Sequence, residues 1–139
     1  MGRVIKLEET GKQRTLLVRS VVLALRELAH QKEINDLSKD LSAYIVLSLK
    51  AINDTIDSSV EAWEKRGYWL KADKFRLEWS WAEKWGQTMH HALLKDDWQV
   101  VATSVAQVAQ KLKDVDVPKR HRIGTPWIGA WNQLMKSRL

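Results

Sequence analysis

Apolar residues recur along this chain at three- and four-residue steps, the period of one face of an α-helix. The pattern is plainest at Leu37, Leu41, Ile45, Leu49, Ile52, Ile56, Val60 and Trp63, and it predicts a long helix that Asn35 caps at its start. Lys65 and Arg66 suit the negative end of that helix dipole, and Gly67 can take the left-handed conformation that ends it. Upstream, Thr10 and Gln13 have the spacing of a capping box, so a first helix is expected from there to about Lys32, with Arg3 to Leu7 as a short extended strand. A third helix is expected from about Tyr68 to Leu94, with a possible kink at Gly86. A fourth carries Trp98, Val101, Val105, Val108 and Leu112 behind a cap at Asp96 or Asp97, and ends before Pro118. Short connections make neighbours antiparallel. The expectation is an all-α, up-down-up-down four-helix bundle over residues 1–116, with 1–10 as an N-terminal extension, in which each helix buries its stripe against two others.

From residue 117 the pattern changes. Pro118, Gly124 and Pro126 interrupt it, and only Trp127 to Leu139 has the make-up of a short helix. Residues 117–139 therefore form a C-terminal arm, and Pro126 to Trp131 is apolar enough that it should dock on the bundle or on a partner.

Composition narrows the functional classes. With 45% hydrophobic and 29% charged residues in 139, and few glycines and prolines, the chain is a globular domain and not a disordered one. It has no cysteine, which excludes disulfides, thiolate metal sites and cysteine nucleophiles within it. The uncharged run between Asp40 and Lys50 is about half the length of a membrane span, so no insertion is expected and the cytoplasm is the expected location.

Charge is unevenly spread. The net of +6 divides into +4 over residues 1–26, −3 over 27–116 and +5 over 117–139. Lys12, Arg19 and Arg26, seven apart, make one basic stripe about 20 Å long on a helix rising 1.5 Å per residue. Lys119, Arg120 and Arg122 lie close to Trp127 and Trp131, the combination of cations and planar rings that holds single-stranded nucleic acid. A solvated helix face and a solvated linker are the plain alternatives.

Tryptophan is in surplus, with eight against one Phe and two Tyr. On the third helix, Trp69, Ala72, Trp79, Ala82, Met89 and Leu93 fit a core face. Leu70, Leu77, Trp81, Trp85 and Ala92 form a second apolar face that needs cover from the arm, a second copy or another protein. By angle, Trp79 and Trp81 diverge while Trp81 and Trp85 share a side.

Enzymatic signatures are weak. Glu27 and His30 have the Glu-x-x-His spacing of di-iron bundles, but no second such pair exists at His90, His91 or His121. Asp40, Asp54 or Asp57 could pair with Arg76 or Arg19 inside the bundle, giving register and not chemistry. The expectation is therefore a non-catalytic small subunit or adaptor, with no metal and no cofactor, that binds protein and nucleic acid through Lys12, Arg19, Arg26, Lys119, Arg120, Arg122, Trp127 and Trp131. Its partner would be another protein or a homo-oligomer, together with a single-stranded or guide-type nucleic acid, and no membrane. The rival reading is a self-associating protein whose Leu70, Leu77, Trp81 and Trp85 form a homomeric interface.

Overall fold

The computed structural model describes residues 7–137. It is all-helical: α1 (Leu7–Ala29), α2 (Asp36–Lys65), α3 (Trp69–Leu94), α4 (Trp98–Lys111) and α5 (Ala130–Ser137). Arg3 to Lys6 of the expected strand lie outside the described residues, and Leu7 is already helical. Thr10 is consequently inside α1 and does not cap it. Glu8 and Glu9 occupy the first turn, where carboxylates favour the positive end of the dipole.

The helix ends follow local chemistry. Asn35 caps α2 in a full capping box: its side chain accepts from Ser38 N at 2.8 Å and Ser38 Oγ accepts from Asn35 N at 3.2 Å. α2 ends in a paired-bond C-terminal motif, Tyr68 N donating to Trp63 O (2.9 Å) and Gly67 N to Glu64 O (3.0 Å), which requires the positive φ of 81° at Gly67. The end of α3 repeats the motif with Asp97 N donating to Ala92 O and Asp96 N to Leu93 O, so Asp96 takes a φ of 59°. Both candidate caps are thereby used: Asp96 closes α3 and accepts from the Trp98 indole, and Asp97 accepts from Val100 N to open α4.

α2 is the axis of the molecule. It packs against α1, α3 and α5, whereas α4 packs on α3 and meets α1 only sparsely. Being surrounded, α2 buries more than a stripe: Leu41, Ile45, Leu49, Ile52, Ile56 and Val60 are joined by Ser38, Ser42, Ser48, Thr55 and Ser59, small enough to let neighbouring helices approach. At Gly86 α3 lies close against α2, where a Cβ would stand 3.3 Å from that of Leu49. α3 is continuous through this glycine, whose missing side chain leaves room for Leu49.

Arg14 ties three helices together. From α1 its Nε donates to Thr55 Oγ1 (3.0 Å) and its Nη2 to Thr55 O (3.1 Å) and Ser59 Oγ (2.7 Å), while the guanidinium lies 4.8 Å from the Phe75 ring centre on α3. Asp40 bonds to the arm and not to Arg76 or Arg19 as expected. Its carboxylate accepts from Gly129 N (3.2 Å) and Trp131 N (2.9 Å) at the start of α5, where negative charge is favoured. Arg76 instead pairs with Glu64 and Asp73, and Asp54 and Asp57 are exposed.

Candidate functional site

Lys12, Arg19 and Arg26 are all exposed along α1, and Lys12 makes a loose pair with Glu8 at 3.7 Å. Arg26 Nη1 donates to Val117 O at 3.2 Å. That bond, between residues 91 apart in sequence, sets the end of the α1 stripe beside the segment leading into Lys119, Arg120 and Arg122, which are exposed as well. The two basic segments therefore approach each other at Arg26 and Val117. Asp114 and Asp116, exposed just before it, are the acids nearest in sequence.

The arm tryptophans are placed differently from the rest of that set. Trp127 is 5% exposed and meets Tyr44 edge-on at 6.4 Å between ring centres, while Tyr44 OH donates to Ser20 Oγ. Its ring fills the seam between arm and α2 and offers no face to a base. Trp131 is half-buried, with the Lys39 ammonium 5.6 Å from its ring centre. Of the apolar residues that predict docking of the arm, Trp127 and Ala130 are buried in it and Trp131 partly so, while Ile128 stays 69% exposed.

On α3, Ala72, Ala82, Met89 and Leu93 occupy the core as expected of that face, but Trp69 is 61% exposed. It stands at the first turn of α3, beyond the end of the cover that α2 gives. Trp79 and Trp81 do not diverge: their rings stack at 5.8 Å and 28°. Helical angle fixes where a Cβ points, yet an indole is long enough to fold back along the surface to its neighbour. Trp81 and Trp85 are half-buried against the core and Ala92 is buried. The arm packs on α2, so Leu70 and Leu77, at 71% and 75% exposure, have no cover from it. Leu70, with Tyr68 and Trp69, borders a shallow hollow of about 840 Å³ lined also by Trp63, Phe75, Lys71, Lys74 and Glu78.

A polar cleft of about 450 Å³ between α2 and α3 was not legible in the sequence. Lys50, Asn53 and Asp54 face Glu83, Gln87, His90 and His91 across it. His90 Nε2 is buried with no hydrogen-bond partner among the described residues, and burial, then His91 and Lys50, hold its imidazole below the usual histidine value. Histidines at i and i+1 face different ways on a helix, which hides such a cleft from pattern reading. Among the described residues no group of three or more His, Asp or Glu is placed to hold a metal ion, and His30 of the Glu-x-x-His pair is exposed. No helix among them is long and apolar enough to cross a membrane.

In comparisons with family models, curated proteins and solved structures, nothing matches this chain.

Proposed function

We propose that the chain is a non-catalytic helical subunit or adaptor, built as an up-down-up-down four-helix bundle, that holds nucleic acid by its phosphate backbone and binds protein through the exposed edge of α3. The observation that supports the first part is the hydrogen bond from Arg26 to Val117 O, which brings the end of the α1 stripe beside the segment leading into the arm cations. On this reading a phosphate backbone follows Lys12, Arg19 and Arg26 and passes from there to Lys119, Arg120 and Arg122. Because Trp127 is buried, affinity comes from charge and little from base stacking, so binding should be strongly salt-dependent and weakly sequence-dependent.

Fluorescence anisotropy of a labelled single-stranded oligonucleotide, repeated across salt concentrations, tests this. The expected log–log slope is about −0.7 per phosphate contact, and Arg19→Glu with Arg120→Glu should flatten it and weaken binding while leaving helicity unchanged. Absence of binding at low salt removes the nucleic-acid reading and leaves the protein-binding role. Self-association is favoured as that role by the exposure of Trp69, Leu70 and Leu77.

A further inference from the structure

Trp63 meets Phe75 and Leu49 faces Gly86, so α2 and α3 run antiparallel. Beside the Leu49–Gly86 contact lies the polar cleft of about 450 Å³, within the size range of small-molecule sites. Val46, Ala82 and Gly86 line it and are buried; the last two are too small to fill it. Its His, Asp and Glu do not come together in the group of three that would hold a metal ion. No residue of α1 or of the arm lines it.

The charges of the cleft are sorted by sign. With Leu49 opposite Gly86, the antiparallel register brings Asp54 level with Glu83 at one end and sets Lys50 toward His90 and His91 at the other. The state of His90 agrees: burial, then His91 and Lys50, hold its imidazole below the usual value, and no carboxylate acts against them. Lys50 followed by Asp54 is the less favourable order for charges four apart on a helix, and neither has an ion pair among the described residues. Two amides stand between the ends. Asn53 has no side-chain hydrogen bond among the described residues, and Gln87 donates to Glu83 Oε1 at 3.3 Å, which leaves its own carbonyl oxygen to bond elsewhere.

A ligand that satisfies both ends carries opposite charges of its own. Lys50 and Asp54, four residues apart, are separated by about 6 Å along α2 at 1.5 Å per residue. We infer that the cleft binds a small zwitterion, its ammonium group between Asp54 and Glu83 and its carboxylate between Lys50 and His91. ω-Amino acids and dipeptides both hold an ammonium and a carboxylate at such a spacing, and a dipeptide adds a central amide for Asn53 and Gln87. Lys50, Asp54, Glu83 and His91 are all exposed, so the ligand reaches its partners without opening the fold. His90 touches nothing of it. Lying behind the basic end with Nε2 closed off from solvent, it senses the carboxylate through the field alone.

Titration of the isotope-labelled full chain with δ-aminovalerate and with glycylglycine, followed by NMR at neutral pH, tests the site. Saturable shifts are expected at the Asn53 and Gln87 side-chain amides and at the His91 ring. Pentylamine and valerate, which carry one charge each, should bind roughly 5-fold more weakly than δ-aminovalerate, the upper worth of one exposed ion pair. Lys50→Ala should weaken δ-aminovalerate and valerate by the same factor and leave pentylamine unchanged, whereas Asp54→Asn should do the converse. Both are surface changes that leave folding intact. Saturation with δ-aminovalerate should raise the pKa of His90, and pentylamine should not. Tighter binding of glycylglycine assigns the site to dipeptides, and tighter binding of δ-aminovalerate assigns it to ω-amino acids. The inference is overturned if no saturable shift occurs at these residues, if the zwitterions bind no better than their halves, or if Lys50→Ala binds valerate as the wild type does. None of these outcomes bears on oligonucleotide binding, which uses other residues.

Discussion

His90 and Arg14 are polar groups that the fold takes out of water in opposite ways. Arg14 is lowered in pKa by burial yet has three acceptors and an aromatic face to hold its charge. Arg14→Ala leaves the Thr55 and Ser59 acceptors with less to bond and should cost about 2–3 kcal/mol in urea denaturation. Arg14→Lys should recover under half of it, because an ammonium cannot reproduce the planar fork. His90 has no such compensation and is held neutral, chiefly by burial. Its folded pKa lies below its unfolded value, so between those two values the unfolded chain binds more protons and stability rises with pH. The contribution is complete above the ordinary value of 6.5 and falls as pH drops from there toward the lowered folded value. The melting temperature should therefore decline from neutral pH into that window, and His90→Gln should reduce the decline. A variant with the same pH slope as the wild type would assign the effect to other groups.

At the level of elements, α5 depends on one carboxylate. Asp40 satisfies two N–H groups at the start of a helix of only 8 residues, a length that does not hold itself together in water. Asp40→Ala should cost about 1–2 kcal/mol. The loss should be local: amide exchange across residues 129–135 should speed up while α1 to α4 keep their protection. How much of this was legible differs by element. α2 could be read nearly to the residue, since its periodicity, its Asn35 cap and its Gly67 stop all agree. α1 could not, because Thr10 and Gln13 look like a cap only if the preceding acidic turn is taken for a loop. The proposed basic surface was half legible: the cations can be counted along the sequence, but the approach of α1 to the arm depends on Arg26 meeting a backbone carbonyl, and carbonyls leave no mark in a residue pattern. The burial of Trp127 is likewise not legible, since the same apolar residues suit either docking of the arm or stacking on a base.

For the whole molecule, a centre at α2 explains both what is well covered and what is left open. Three neighbours surround that helix, while α4, shorter and attached to α3, meets α1 only sparsely and leaves a groove of about 440 Å³ between Leu25 and Leu28 of α1 and Trp98 and Val105 of α4. The arrangement also bears on how the chain folds as it is made. α1 with α2, α2 with α3 and α3 with α4 are neighbours in sequence and can pair as hairpins soon after each second helix emerges. The arm is not: Asp40 and Tyr44 on α2 are more than eighty residues from their partners Trp131 in α5 and Trp127 just before it. At ribosomal speeds of about 5–20 residues per second, the Tyr44 face of α2 waits for several seconds, bare of its cover, after α2 itself has left the tunnel. The last helix is thus a late-arriving lid on the first-formed core, and the nascent chain is most exposed to chaperones and to aggregation in the interval before it lands.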